Sequence, residues 1–462
     1  MTEPTTLQPV LLWSDGLIFL LVASLLAFAA TLRRSPQTRQ KWAQVFRSRI
    51  GVSSFMVVCA YVLVALLDSV HFRESLPATE HSADVHYSHS IRSVLDLLLH
   101  DMQEGTETTY SAPFAIYSFS KENMLDEQGR LYRDFPRLAH GGAHLADPAQ
   151  RAGDILQRSA VALVRGALLA AVLLGLLAWL RRRRLARVGL PWRAVNLTLV
   201  ALVLVSTWVL ELGSVYHILG TDQVGTDVLY QSVKSIRTGV LIGTLATLLT
   251  LPLAIVLGIG AGYFKGAVDD VVQYVYTTLN SIPGILLIAA SVLLIDVYIQ
   301  THPERFELTV VRADFKFLAL CFILGLTSWT TLCRLLRAET LKISQLEYVR
   351  AAQAFGVSQA RIIRRHILPN VMHLVLISLV LDFSAFVMAE SVLSYIGVGV
   401  DASMMSWGNM INAARSELSR DPSVWWSVMS AFILMVVLVL AANLFADEVR
   451  AAFDPRGAGG RR

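Results

Sequence analysis

Apolar runs long enough to cross a lipid bilayer recur along the 462-residue chain and limit its fold more than any other feature. A membrane-spanning helix needs roughly 20 predominantly apolar residues. Because 54% of the residues are hydrophobic and only 16% are charged, the sequence predicts an all-α polytopic membrane protein with about nine transmembrane helices. The nine runs are residues 13–32, 50–67, 160–180, 195–212, 239–262, 272–298, 317–336, 371–396 and 425–445.

Basic residues set the expected orientation of these helices. Arg34 and Lys41 follow the first run and no lysine or arginine precedes it, which is the reverse of a secretory signal. Four consecutive arginines, Arg181 to Arg184, follow the third run. Since lysine and arginine concentrate on the cytoplasmic side, the pattern predicts an external N-terminus, a cytoplasmic C-terminus and a polar extracytoplasmic insert at residues 71–157.

The polar insert holds seven of the chain's 11 histidines. A metal site would need three or four of them to converge, and their spacing matches no zinc or nickel motif. The three cysteines, Cys59, Cys321 and Cys333, lie in apolar runs and predict neither a disulfide framework nor a metal site. The sequence therefore predicts no metal and no cofactor of its own.

A charged hairpin is predicted at residues 337–370, between two apolar runs. Ser344 and Glu347 have the spacing of a capping box, which predicts that a helix starts there. Gly356 can take the left-handed conformation that closes a helix. A second helix is expected to be capped by Ser358 and to end at Pro369.

Small side chains on the first helix of the charged hairpin, Ala351, Ala352 and Ala354, let another surface approach closely. Two other interpretations fit the same residues. The first is an ordinary loop whose arginines only fix topology. The second is a DNA-binding helix-turn-helix, which the adjoining apolar spans disfavour because they would keep the pair out of a major groove. The polar residues flanking the alanines are Glu347, Arg350, Arg361, Arg364 and Arg365.

The order Glu347, Arg350-Ala351-Ala352, Gly356 and Leu368-Pro369 resembles the EAA loop of permease subunits of ATP-binding-cassette importers. Arg350 stands where the motif has glutamate, and His366 stands where it has isoleucine. The resemblance implies a coupling helix that sits in a groove of the ATPase subunit. The residues implied in coupling are Ser344, Glu347, Arg350, Ala351, Ala352, Gly356, Arg361, Leu368 and Pro369.

Three further stretches resemble dipeptide and oligopeptide permeases. They are LGTDQVGTDVL at 219–229, with Thr226 where arginine is usual, SWGNM at 406–410, and FDPR at 453–456. The chain is expected to divide into N-terminal spans with a basic cytoplasmic loop, the insert, additional spans, and a transport core that contains the coupling loop. Their bounds are 1–70, 71–157, 158–215 and 216–456, with the coupling loop at 337–370.

Acids within the apolar runs are costly in lipid and are candidates for function. Asp382 and Glu390 fit either packing or a polar lining, whereas Asp296 fits a position near a helix end. Pro283 is expected to kink the run at 272–298. The candidates for a translocation path are Pro283, Asp382, Glu390 and Trp407.

Sequence motifs for catalysis are absent from the chain. It contains no GxxxxGK[ST] phosphate loop, no GxSxG elbow and no HExxH pair. It is therefore predicted to be non-catalytic, and the resemblance implies that a partner subunit binds ATP. An ion-coupled secondary carrier that uses the buried acids is the alternative, although no inverted repeat is present.

The resemblance implies a multi-pass protein of the bacterial inner membrane that forms half of the translocation path for peptides or peptide-like solutes. It also implies a second related permease subunit, two ATPase subunits or domains, and an extracytoplasmic substrate-binding protein, with membrane lipid around the spans and no nucleic acid. The cargo stays open between a dipeptide, a longer peptide, a peptide-like antibiotic and a nickel complex.

Overall fold

The computed structural model describes residues 7–32, 36–75, 87–88, 90–125, 130–181 and 189–453. Within these residues it is a helical protein, as predicted, and it also contains two small antiparallel sheets. Several predicted features lie outside them, including Arg34, Arg182 to Arg184, three histidines of the insert and the last three residues of FDPR. The N-terminal elements are β1 (Leu7–Val10), α1 (Trp13–Leu32), α2 (Pro36–Val45), α3 (Arg49–Asp68), β2 (His71–Glu74), β3 (Arg92–Ser93), α4 (Val94–Leu98), α5 (His100–Glu104), β4 (Glu122–Leu125) and β5 (Leu131–Asp134).

Longer helices make up the rest of the chain. They are α6 (Arg151–Leu180), α7 (Trp192–Gly213), α8 (Val228–Phe264), α9 (Gly266–Asn280), α10 (Gly284–Thr301), α11 (Thr309–Ser328), α12 (Thr330–Ile343), α13 (Glu347–Ala354), α14 (Gln359–Ile362), α15 (Leu368–Tyr395), α16 (Trp407–Ala414) and α17 (Trp426–Phe453).

Seven helical segments among the described residues are long and apolar enough to cross a membrane. Two predicted spans are not among them. The run at 13–32 forms α1, and the run at 317–336 is divided between α11 and α12 at Trp329. Arg312, Asp314 and Lys316 lower the hydropathy of α11. The seven segments are Arg49–Asp68, Pro148–Leu180, Trp192–Gly213, Val228–Phe264, Gly284–Thr301, Gln359–Tyr395 and Trp426–Phe453.

Pro283 does not kink a continuous helix, contrary to the prediction. It precedes α10 with extended backbone angles, and the preceding helix, α9, ends at Asn280. Proline has no N–H to donate and disfavours helical geometry in the residue before it, so the chain breaks here rather than bends. The proline that does lie inside a long helix is Pro252 in α8.

Two compact units divide the chain by their internal contacts. The first contains residues 1–34, 46–238 and 405–438. In it β1, β2 and β3 form one antiparallel sheet, and β4 pairs with β5 as a hairpin. Its apolar core joins the insert to α6, α7 and the start of α8, with Leu95, Leu99, Met102, Ala162, Leu212, Ile218, Leu229 and Tyr230 buried.

The second unit contains residues 35–45, 239–404 and 439–462. Its apolar core includes side chains from α8, α9, α12, α15 and the charged hairpin. The buried members are Leu251, Ala254, Ile259, Ala261, Val272, Tyr276, Trp329, Leu332, Cys333, Leu336, Ile343, Val349, Ile362, Ile367, Val371 and Val375.

Candidate functional site

The first turn of the charged hairpin follows the predicted glycine closure. α13 ends at Ala354, and Gly356 adopts a positive φ of 71°. The Val357 N–H donates to the Ala352 carbonyl at 3.1 Å, and the Gly356 N–H donates to the Gln353 carbonyl at 3.0 Å. These two bonds form a Schellman motif, which satisfies the last carbonyls of α13 and turns the chain back.

The predicted capping box is wrong. Ser344 lies at the end of α12 in helical geometry, and its hydroxyl donates to the Leu341 carbonyl at 2.8 Å. Leu346 occupies the N-cap position of α13, and no side chain caps that helix. Because α12 extends to Ile343, the serine bonds back to its own helix instead of forward. Glu347 is still the first residue of α13, where an acidic side chain interacts favourably with the helix dipole.

The second arm of the charged hairpin does not end at Pro369, contrary to the prediction. α14, a π-helical turn at Ile363–Ile367 and α15 follow one another without interruption. The π-helical turn before Pro369 accommodates the proline, because it shifts the backbone hydrogen bonds, as in the bond from the Leu368 N–H to the Ile363 carbonyl. Ser358 does stand at the N-cap of α14, but its side chain makes no capping bond.

Three apolar side chains anchor the charged hairpin in the core of the second unit. Val349 in α13, Ile362 in α14 and Ile367 in the π-helical turn are each 0% exposed. Ala352 is half-buried, whereas Phe355 at the turn is 87% exposed. The anchored arms thus hold an exposed surface in place, comprising Leu346, Glu347, Tyr348, Arg350, Ala351, Ala354, Phe355, Gly356 and Arg361.

Both departures from the EAA motif make contacts within the charged hairpin. The Arg350 guanidinium donates to the Gln345 side-chain oxygen. The His366 ring lies 5.8 Å from the Tyr348 ring, measured between centroids, and the Tyr348 hydroxyl accepts a hydrogen bond from Asn370 at 3.2 Å. The histidine therefore contacts the opposite arm of the hairpin.

An ion pair that the sequence analysis missed lies at the start of the charged hairpin. Arg337 in α12 donates from Nε and Nη2 to the two carboxylate oxygens of Asp269 in α9, at 2.5 and 2.6 Å. This bidentate hydrogen bond lowers the pKa of Asp269. No local pattern signals the pair, because 68 residues separate its members.

The two acids of α15 have different surroundings. Glu390 is 1% exposed, and its carboxylate accepts from the hydroxyls of Ser394 at 2.7 Å and Ser391 at 3.4 Å. Asp382 is half-buried and makes no hydrogen bond or ion pair with any residue that the structure describes. Asp296 in α10 pairs with Lys316 in α11 at 2.8 Å.

Trp407 occupies a buried packing position. Its side chain is 1% exposed, and the indole N–H donates to the Ser232 carbonyl at 3.0 Å. Both residues belong to the first unit, whereas Pro283, Asp382 and Glu390 belong to the second. A side chain enclosed in this way faces protein atoms rather than an open path.

The LGTD stretch is fixed to the insert through a buried histidine. His217 Nδ1 lies 2.8 Å from Asp227 Oδ2, and Nε2 lies 3.3 Å from Glu107 Oε1. Burial opposes the charge on His217, but the two carboxylates outweigh it and raise the pKa of His217 to about 9. Asp227 also caps α8, since its Oδ1 accepts from the Tyr230 backbone N–H at 2.9 Å.

Among the described residues, no group of three or more histidine, cysteine, aspartate or glutamate side chains is arranged to hold a metal ion. Glu107 is instead committed to backbone donors as well as to His217. Its carboxylate accepts from the N–H groups of Ala139, His140 and Gly141 at 2.8 to 2.9 Å. Burial opposes its ionisation, yet these bonds and His217 lower the pKa of Glu107 to about 2.

Comparisons with known proteins identify the chain's family. A sequence model of the binding-protein-dependent transport system inner membrane component matches residues 254–458. The oligopeptide transport system permease protein OppC of Mycobacterium tuberculosis (strain ATCC 25618 / H37Rv) is 32% identical over 246 residues, which cover 53% of this chain and 78% of that protein. The chain belongs to this family. The predicted resemblance to inner-membrane permeases of peptide ABC importers is thereby confirmed.

Two other relatives of this permease have similar names. The dipeptide transport system permease protein DppC of Bacillus subtilis (strain 168) is 28% identical over 240 residues, covering 52% of this chain and 69% of that protein. OppC of Haemophilus influenzae is 29% identical over 242 residues, covering 52% and 71%. A chain from the solved MetNI methionine ABC transporter covers 49% of this chain and 97% of its own length at 13% identity and a TM-score of 0.38, which is too weak to support a conclusion.

Proposed function

We propose that this permease subunit forms half of a translocation path for peptides or peptide-like solutes and that a separate ATPase subunit drives it through the charged hairpin. The observation that carries the proposal is the build of that hairpin. Val349, Ile362 and Ile367 are fully buried, so the exposed surface around Phe355 is held on a rigid base. Because its base is tightly packed, the hairpin should move as one body with a docked partner instead of deforming.

The chemistry of the exposed hairpin surface suits a protein partner. Exposed Phe355 and Leu346 supply apolar area, and the small side chains of Ala351 and Ala354 permit close approach. Interfaces gain most of their energy from such a central aromatic anchor, with charged residues at the rim. Exposed Arg350 adds a positive charge to this surface, which an acidic group on the ATPase subunit would complement.

Several further points belong to the same proposal. The peptide cargo is supported by the oligopeptide and dipeptide names of the relatives. The remaining partners are a second related permease subunit, two ATPase subunits or domains, and an extracytoplasmic substrate-binding protein. Positive charge after the first and third apolar runs supports an external N-terminus and a cytoplasmic C-terminus.

The translocation path is proposed to involve the second unit. Asp382 is a half-buried carboxylate without a described partner, the state expected of a side chain that faces a wet cavity or another subunit. Pro283 marks a break between α9 and α10, where backbone groups need partners other than lipid. Glu390 accepts hydrogen bonds from two serines of its own helix. It is proposed to support the wall of the path without facing the path itself.

Co-purification in mild detergent tests the docking surface. Phe355→Glu should abolish recovery of the ATPase subunit because a carboxylate replaces the apolar anchor at the exposed turn. Leu308→Glu is the matched control, since Leu308 is an exposed apolar residue (48%) of the same unit outside the hairpin. Equal recovery of the ATPase subunit with both variants would contradict the proposed docking surface.

Uptake by proteoliposomes tests the driving force. The complex reconstituted with its binding protein should accumulate peptide when ATP is supplied and should not respond to a collapsed proton gradient. Uptake driven by an imposed pH gradient without nucleotide would show that the chain works as an ion-coupled carrier, and the proposed function would then be wrong.

A further inference from the structure

Polar contacts join the first half of α12, the helix that ends within the charged hairpin, to α9. The bidentate bond between Arg337, midway along α12, and Asp269 lies near the start of α9. Gln273 donates to the same carboxylate at 3.0 Å. At the other end, the Thr330 hydroxyl donates to the side-chain oxygen of Asn280 at 3.0 Å.

Aromatic and glycine contacts complete this packing. The Arg334 guanidinium lies 6.0 Å from the ring centroid of Tyr276 in α9. On the other side of α12, a Cβ on Gly258 of α8 would lie 2.7 Å from the Cys333 carbonyl oxygen. A Cβ on Gly262 would lie 2.7 Å from the Arg337 carbonyl oxygen. α12 therefore packs closely against both α8 and α9, in addition to α15.

A break in the chain lies directly beyond these contacts. α9 ends at Asn280, and the chain leaves helical geometry after Ser281, at residues 282–283, before α10 begins. Asn280, at that end, is the residue bonded to Thr330. If α12 moves, α9 should move with it up to the break. The break then allows α10, on its other side, to stay in position.

We propose that the Arg337–Asp269 ion pair is the positioning contact that transmits movement of the charged hairpin to α9 and so to the break at residues 282–283. This inference rests on the proposed function, because it requires an ATPase subunit to move the hairpin. A guanidinium and a carboxylate joined by two parallel bonds fix the angle between two helices as well as their distance. If the pair is broken, α12 should move without an equal movement of α9.

The test measures peptide taken up per ATP hydrolysed by the complete reconstituted complex. Asp269→Asn keeps the shape of the side chain but removes its charge, and the ratio should fall about tenfold while hydrolysis continues. Arg337→Lys keeps the charge and loses the second bond. Its ratio should therefore lie between that of Asp269→Asn and that of the unmodified complex. Exchanging the partners, with Asp269→Arg and Arg337→Asp together, should recover part of the loss.

Asp296→Asn is the matched control for this test. It breaks another ion pair between two helices of the same unit, that of α10 and α11, which the charged hairpin does not adjoin. Its ratio of uptake to hydrolysis should equal that of the unmodified complex. A fall in the control as large as that in Asp269→Asn would overturn the proposal, since any helix–helix ion pair would then have the same effect.

Two further outcomes would overturn the proposed transmission. In one, Asp269→Asn leaves uptake and hydrolysis at their parental rates, and in the other both rates fall in proportion, which a merely stabilising contact would give. If Asp269→Asn does not assemble, Arg337→Lys carries the test, because it keeps the charge and removes one of the two bonds to Asp269. An unchanged ratio there would decide against the proposal. Lack of ATP-dependent uptake by the unmodified complex would instead refute the proposed function.

Discussion

At the scale of single residues, His217 gives the clearest dependence on pH. Both ring nitrogens face carboxylates, so the charged form donates to Glu107 and Asp227 at once. The pKa of His217 rises from 6.5 to about 9 on folding. Its stabilising effect is therefore complete below about pH 6.5 and is lost as the pH rises through about 9.

Glu107 depends on pH in the opposite direction. Its pKa falls from 4.5 to about 2 on folding. The stabilisation from Glu107 is therefore complete above about pH 4.5 and is lost as the pH falls through about 2. Between these limits, near neutral pH, the charged forms of Glu107 and His217 coexist and hold the insert against the LGTD stretch.

The first prediction concerns this pair. Raising the pH from about 6.5 to about 9.5 should lower the melting temperature of the purified protein by several degrees, because His217 loses its proton. His217→Gln should remove most of that slope, whereas His100→Gln should not, since the His100 side chain is 48% exposed. Melting curves at the two pH values check this, and parallel slopes in both variants would contradict it.

The second prediction concerns Gly356. Valine at a φ of 71° costs roughly 1 to 2 kcal/mol, although no atom lies within 4 Å of an added Cβ. Gly356→Val should therefore change the hairpin angle and lower ATP-driven uptake by about tenfold, while membrane insertion stays normal. Gly260→Val is the control, because Gly260 is equally open but lies within α8. Uptake at the parental rate would speak against a coupling role for the hairpin.

At the scale of elements, α6 and α7 pack through small residues. Ala162, Gly166 and Ala170 follow one another at four-residue spacing on α6, and all three are buried. A Cβ on Gly166 would lie 2.4 Å from the Thr207 hydroxyl of α7. In lipid, close backbone approach of this kind replaces the hydrophobic effect as the source of helix association.

The third prediction separates the two sides of α6. Gly166→Leu should destabilise the protein by about 1 to 3 kcal/mol, because the larger side chain pushes α7 away. Gly175→Leu should have little effect, since nothing lies within 4 Å of a Cβ at that position. Thermal melting in detergent, followed by size-exclusion chromatography, compares the two variants. Equal destabilisation would show that the glycine contact does not hold the pair.

At the scale of the whole molecule, the membrane acids distinguish the two classes of transporter. Asp382 has no polar partner in the described part of the chain, so neutralising it should not destabilise the fold. A carboxylate that exchanged protons could not be replaced by an amide without loss of coupling. A carboxylate that only lines a path can be replaced, at the cost of altered rate or preference.

The fourth prediction follows from this difference. Asp382→Asn should change the rate or the substrate preference of uptake, which should remain dependent on ATP and insensitive to a collapsed proton gradient. Proteoliposomes containing the complete complex, assayed with and without nucleotide, check this. Loss of a gradient-driven uptake in the variant would instead assign Asp382 to proton exchange.

The sequence by itself determined the features that depend on neighbouring residues. The length of an apolar run predicts a span because the bilayer has a fixed thickness. Seven of the nine runs overlap a described helical segment that is long and apolar enough to cross a membrane, although the run at 272–298 does so only from Gly284 onward. Gly356 predicted a turn because only glycine takes a positive φ without strain. The spacing of the EAA-like residues was sufficient to identify the family.

Only the tertiary structure decided how distant residues pair and where local signals fail. Arg337 and Asp269 are 68 residues apart, and His217 and Glu107 are 110 apart, so no periodicity links them. Ser344 has the sequence of a capping residue, yet its hydroxyl bonds to α12, which extends to Ile343, a buried member of the core of the second unit. The Ser344 hydroxyl could hydrogen-bond to the backbone of either α12 or α13. Which bond forms depends on contacts that the local sequence does not contain.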